Sequence, residues 1–111
     1  MQHDDRVYVG HMLDLARRIG ARVAGLDRSG FDTNEDLQLA LTHLVQTFGE
    51  AARRVSREYQ DSHPVLPWPA IVGMRHKVVH DYLDVDLDLV WEVVTLEVPR
   101  LIAALERLVE G

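Results

Sequence analysis

Arg75 and His80 stand five positions apart in a stretch that also holds His76, Lys77 and Tyr82. A guanidinium forks onto phosphate or carboxylate oxygens. An imidazole takes up and releases protons near neutral pH. Together they could bind an anion and move a proton beside it. The spacing alone is a weak pattern, because Arg75 can equally pair with an acid such as Glu50, leaving His80 on the surface and Tyr82 in the core.

Other combinations point to less. His76 and His80 are four apart, which on a helix allows a metal clamp. Lys77 stands between them where the zinc-protease motif needs a glutamate, so no metal site is expected. Asp84-x-Asp86-x-Asp88 begins like a calcium loop. Leu89 occupies the obligatory glycine position and Thr95 the closing glutamate position, so these acids read as turn and helix-cap residues. Arg53, Arg54 and Arg57 read as a solvated face beside Glu50 and Glu58, with an RNA path as the other possibility. Trp68 and Trp91 read as core or interface anchors, and His3, His11, His43 and His63 carry no usable spacing.

The elements that must position these residues are helical. Val9, Met12, Leu13, Ala16, Ile19, Val23 and Leu26 predict a helix over about 5–26, ending at Gly30. Leu37, Leu41, Leu44, Phe48, Ala51 and Val55 predict a long bundle helix over about 33–59, with Asp32 and Glu35 as a capping box. Gly49 interrupts it and allows another backbone to come close. Pro64, Pro67 and Pro69 make the following connector stiff, with Pro69 suited to a helix's first turn. A third helix is expected over about 69–83, then a turn at Asp84-Val85-Asp86. A fourth helix starts near Asp86, and Pro99 either kinks it or opens a separate last helix, the kink being favoured. No strand pattern stands out. The fold class is therefore all-α, a four- to five-helix up-down bundle, with residues 1–111 as one domain.

On an ideal third helix, Arg75 falls amid Ile71, Val72, Met74, Val78, Val79 and Tyr82. An unpaired guanidinium there would be costly, so it needs an acid, an anionic ligand, a cleft or a subunit interface. Tyr82, about two turns on, would share its face, and His80 would lie about 140° further round.

The whole stretch Trp68-Pro69-Ala70-Ile71-Val72-Gly73-Met74-Arg75-His76-Lys77-Val78-Val79-His80-Asp81-Tyr82, followed by Asp84-Val85-Asp86 and Val90-Trp91, resembles the HepT-like family of HEPN-domain toxins. The family signature is Arg, four residues, His, one residue, Tyr. The resemblance extends to Leu37-Gln38-Leu39-Ala40-Leu41, Gly49-Glu50-Ala51-Ala52 and Val98-Pro99-Arg100-Leu101. His76 departs from it, since asparagine usually follows the arginine there. The resemblance implies a homodimeric, metal-independent endoribonuclease toxin of a type VII HEPN/MNT toxin–antitoxin system, needing no cofactor. Arg75 and His80 would line a cleft between subunits as catalytic residues, with His76 and Lys77 as further RNA contacts. It also implies a partner, an MntA-like nucleotidyltransferase antitoxin that attaches AMP to Tyr82. The alternative is a non-catalytic helical dimer that binds a nucleotide or such a nucleotidyltransferase.

Composition bounds these readings. Hydrophobic residues make up 47% and charged residues 27%, an ordinary globular balance. The net charge is −6, so contact with RNA must rest on a local cationic cluster. There is no cysteine and no apolar run long enough for a membrane span, and Met1-Gln2-His3-Asp4-Asp5 is no secretory leader. These features suit a cytoplasmic protein.

Overall fold

The computed structural model describes residues 4–81 and 84–111. Asp4 caps α1 (Asp5–Val23) by accepting a hydrogen bond from the Arg6 amide. Val9, Met12, Leu13, Ala16 and Ile19 recur at helical spacing, and all five are buried. The helix stops short of residue 26. Gly25 turns the chain with φ +72°, a conformation that glycine enters without a Cβ penalty. The exit expected at Gly30 is thus made at Gly25. Gly30 instead lies in a short helix, α2 (Arg28–Asp32), where its amide donates to the Asp27 cap at 2.7 Å.

Asn34, not the Asp32–Glu35 pair, caps α3 (Glu35–Arg54), accepting from the Leu37 amide. The expected seam holds. Leu41, Phe48, Ala51 and Val55 are buried, with Leu37 and Leu44 half-buried beside them. The helix ends five residues before the predicted limit. Val55 and Ser56 turn extended, and the Asp5 carboxylate accepts both the Ser56 amide and its hydroxyl at 2.7 Å. Ser56 then caps α4 (Arg57–Ser62). A bond from α1, remote in sequence, therefore divides what periodicity alone reads as one helix.

After the proline-rich connector comes α5 (Trp68–Val78), with a proline in its first turn. Trp68 is buried, and its indole N–H donates to the His63 carbonyl at 2.9 Å. Helix α5 lies close against α3 at Gly49, as expected. A Cβ on Gly49 would sit 3.1 Å from the Ile71 carbonyl oxygen and 3.6 Å from the Arg75 amide nitrogen. Gly49→Val should therefore lower stability by about 1–3 kcal/mol through overpacking. Thermal unfolding would show the loss, and an unchanged midpoint would mean that α5 can move away freely.

The third helix was expected to reach residue 83, but α5 ends at Val78. Val79 is extended (φ −126°, ψ 107°) and opens β1 (Val79–Asp81), which pairs antiparallel with β2 (Asp84–Val85). The Asp86 amide adds a bond to the Val78 carbonyl at 2.8 Å. Consecutive β-branched valines favour this change, and the strand ladder satisfies the backbone. The fold is all-helical apart from this strand pair, which the sequence pattern did not reveal.

Asp86 caps α6 (Leu87–Glu92) as predicted, accepting from the Leu89 amide. A π-helical segment (Val93–Glu97) links α6 to α7 (Val98–Glu110). The Val98 amide donates to the Val93 carbonyl, a five-residue step that widens the helix just before Pro99. The backbone stays helical from Leu87 to Glu110, so no break opens a separate last helix at Pro99, and the irregularity is a π segment ahead of the proline where a kink was favoured. Helix α1 packs against α3 and α7, and α3 packs against α5. Phe31, Phe48, Ile71, Val90 and Leu105 are among the fully buried core side chains. No helix among the described residues is long and apolar enough to cross a membrane.

Candidate active site

One wall of a cleft is α3, and the other is α5 running into the strand pair. Thr42, His43 and Gln46 line it from α3, Arg75 and His76 from α5, and His80 and Asp81 from β1. Its volume is about 440 Å³. A smaller adjoining hollow of about 270 Å³ is lined by His43, Gln46, Thr47, Glu50 and Arg75.

Arg75 does not sit within an apolar face. The buried face of α5 is Trp68, Ile71, Met74 and Val78, narrower than an uninterrupted helix would give. Arg75 lies at its border with a side chain 52% exposed, and Nη1 is 3.5 Å from Glu50 Oε2. Glu50 is the acid that the sequence offers as its partner. At that distance the pair is longer than a direct charge-assisted hydrogen bond, so guanidinium donors remain for another anion.

Glu50 serves three arginines. Arg53 forks onto it at 2.6 and 3.1 Å, and Arg54 Nε lies 3.7 Å away. The Arg53 hydrogen bond, aided by the charges of Arg53, Arg54 and Arg75, holds the Glu50 carboxyl below the usual carboxylate range. Three cations against one anion make this corner locally positive in an acidic chain. The expected solvated face is thus a shared cluster at Arg53 and Arg54. Arg57 pairs with Asp61 rather than Glu58, at 3.5 Å.

His80 is carried by β1, so its expected helical angle to Arg75 does not apply. The strand puts it in the same cleft as the arginine, with its side chain 53% exposed. Its Nε2 lies 3.9 Å from Asp86 Oδ2, while the other oxygen of Asp86 caps α6. At that distance the carboxylate faces the ring without a direct hydrogen bond to it. His76 is exposed in the cleft. Because α5 ends between them, His76 and His80 lose the spacing a helical metal clamp requires.

Lys77 points to a different job. Its Nζ donates to both carboxylate oxygens of Glu97 at 3.1 Å, tying α5 to the π segment. It is not among the residues lining the cleft. Tyr82 lies outside the described residues, and its expected face beside Arg75 assumed a helix that in fact ends at Val78.

The sequence reading missed His43 and the second role of Asp86. A signal for His43 exists. His43, Gln46, Thr47 and Glu50 recur at the three- and four-residue steps of one helical stripe, beside the apolar seam. No such local signal joins Asp86 to His80, because strand pairing brings them together.

Residues 12–108 match the family model described as HepT-like, ribonuclease HepT-like. "Putative RNase TTE0752" of Caldanaerobacter subterraneus subsp. tengcongensis is 31% identical over 96 residues, covering 86% of each chain. "Probable ribonuclease HepT" of Thermococcus cleftensis is 30% identical over 78 residues, 70% of this chain and 71% of that one. "Gamma-glutamylcyclotransferase and putative RNase MJ0434" of Methanocaldococcus jannaschii is 30% identical over 101 residues, 91% of this chain but only 46% of that longer one. No solved structure matches. The matched segment includes the whole α3–α5–β1 cleft, and the chain belongs to the HepT-like ribonuclease family.

Proposed function

We infer that the protein is a metal-independent endoribonuclease, with residues 1–111 acting as one HepT-like domain. The observation that carries this reading is the meeting of Arg75, His76 and His80 in one cleft of a HepT-like ribonuclease family member. His80 takes the proton from a ribose 2′-hydroxyl. The 2′-oxygen bonds to phosphorus, the bond to the 5′-oxygen breaks, and that oxygen leaves with a proton. The products are a 2′,3′-cyclic phosphate and a 5′-hydroxyl. Arg75 stabilises the charge gathering on the phosphorane oxygens. His76 contacts the RNA, while Lys77 remains with Glu97 as a structural pair.

The working unit is a homodimer in which two copies of the cleft adjoin. Two copies of Arg75, each sharing Glu50 with Arg53 and Arg54, then gather positive potential to hold RNA on an acidic molecule. The protein is the toxin of a type VII toxin–antitoxin system, acting in the cytoplasm. Its MntA-like nucleotidyltransferase partner silences it by attaching AMP to Tyr82, two residues beyond His80 in sequence, where added phosphate and bulk would compete with RNA.

The test is cleavage of RNA by purified unmodified protein in the presence of a chelator. Cyclic-phosphate ends should appear, and co-expression with an MntA-like nucleotidyltransferase should add the mass of AMP and stop cleavage. RNA left intact by unmodified protein under all conditions would sink the catalytic reading and leave a nucleotide- or partner-binding dimer.

A further inference from the structure

The cleft holds one imidazole that the mechanism above does not use. Helix α3 presents His43 into the space shared with Arg75, His76 and His80, and into the adjoining hollow shared with Arg75 and Glu50. The core has no need of it. The neighbouring buried positions of α3 are Leu41, Thr42 and Val45, while His43 is exposed. Its carbonyl accepts the Thr47 hydroxyl at 2.8 Å, and among the described residues its ring makes no hydrogen bond or ion pair. A free imidazole beside an available guanidinium, across from a second imidazole backed by a carboxylate, suits a reaction in which one proton is taken and another is given.

We propose that His43 is the general acid of this cleft, supplied by the same chain as His80. The proposal rests on the ribonuclease reading and identifies where its second proton comes from. Cleavage proceeds in one balanced step. The 2′-hydroxyl proton passes to His80, the 2′-oxygen-to-phosphorus bond forms, the phosphorus-to-5′-oxygen bond breaks, and the departing 5′-oxygen takes the His43 proton. The imidazolium formed on His80 faces Asp86. Arg75, between the two hollows, holds the phosphate. Each protomer then carries its own acid and base, and the dimer supplies shape and potential rather than a missing histidine. Among the described residues, the charged and titratable groups lining the space around His43 are Arg75, His76, His80 and Asp81 in the cleft and Glu50 in the hollow.

The experiment compares two substrates with the full-length protein. One is a short RNA, whose leaving 5′-oxygen needs a proton. The other is uridine 3′-(4-nitrophenyl phosphate), whose leaving group departs without one. His43→Ala should lower kcat on the RNA about 10²–10³-fold and abolish the alkaline limb of the pH–rate profile. It should leave the nitrophenyl ester cleaved at close to the wild-type rate, and His43→Gln should behave alike. His80→Ala should lose both substrates. Equal losses on both substrates with either His43 variant would overturn the proposal, as would full activity on both, or a rise in KM with kcat unchanged. In each of those cases a wild-type enzyme that cuts RNA and a dead His80→Ala would leave the ribonuclease reading standing. A wild-type protein that cuts neither substrate removes both.

Discussion

Replacing His80 by alanine should lower the RNA cleavage rate about 10²–10⁴-fold at neutral pH, the range spanned by losing a positioned acid or base. The fold should not notice. The side chain is half-exposed, its Asp86 neighbour keeps its role as the cap of α6, and β1 pairs through its backbone. Melting should therefore be unchanged while turnover collapses, and that combination separates a chemical role from a structural one. The acidic limb of the pH–rate profile should vanish with the variant, because a base must be unprotonated to act. Asp86→Asn is the companion measurement. Asparagine can still cap α6 but carries no charge towards the ring, so the rate should fall less than in His80→Ala, with the helix retained. A His80→Ala protein that cuts RNA at the wild-type rate would end the assignment of the base.

Helix faces could be read from the sequence because burial follows a local period. The buried residues of α1, the seam of α3, the close approach at Gly49 and the Asp86 cap all follow from spacing and residue type. Helix ends were less legible because distant groups set several of them. The α3 seam runs unbroken to Val55, but the Asp5 carboxylate, 51 residues away, takes the Ser56 amide while Gln60 bonds the Ala52 and Val55 carbonyls, and neither shows in the apolar period. Valines at 78 and 79 fit either a helix or a strand, and pairing with Asp84–Val85 decides between them. That single decision moves His80 from a helix to a strand and narrows the apolar face that was to surround Arg75. Lys77 shows the same limit from another side. Its place beside Arg75 suggested an RNA contact, but Glu97, 20 residues on, lies within reach of its ammonium group.

Arg75 is where the reading depends most on electrostatics. Arg75→Ala should lower kcat/KM about 10²–10³-fold, the scale seen when one preorganised donor to a developing oxyanion is removed. Part of the loss should appear as weaker binding, with the salt dependence of RNA affinity reduced by about one phosphate contact. Arg75→Lys should recover little, because a point charge cannot fork onto two phosphate oxygens. Glu50 makes the test sharper. Its carboxyl is held low, first by the Arg53 hydrogen bond, so it stays ionised down through the ordinary carboxylate range and is neutralised only as pH falls through a depressed value. Protonation of Glu50 therefore falls well below neutrality, and a pH effect near neutrality has another source. Glu50→Gln removes the carboxylate that pairs with Arg75 and competes with phosphate for it, so RNA should bind more tightly to that variant, most clearly at low salt. The same substitution releases Arg53 and Arg54, which lie within reach of the same carboxylate and would add to the attraction. Combining it with Arg75→Ala resolves the two sources. If the gain in affinity persists without Arg75, it comes from Arg53 and Arg54. If it disappears, Glu50 acts by holding the cleft arginine in check until a phosphate replaces it.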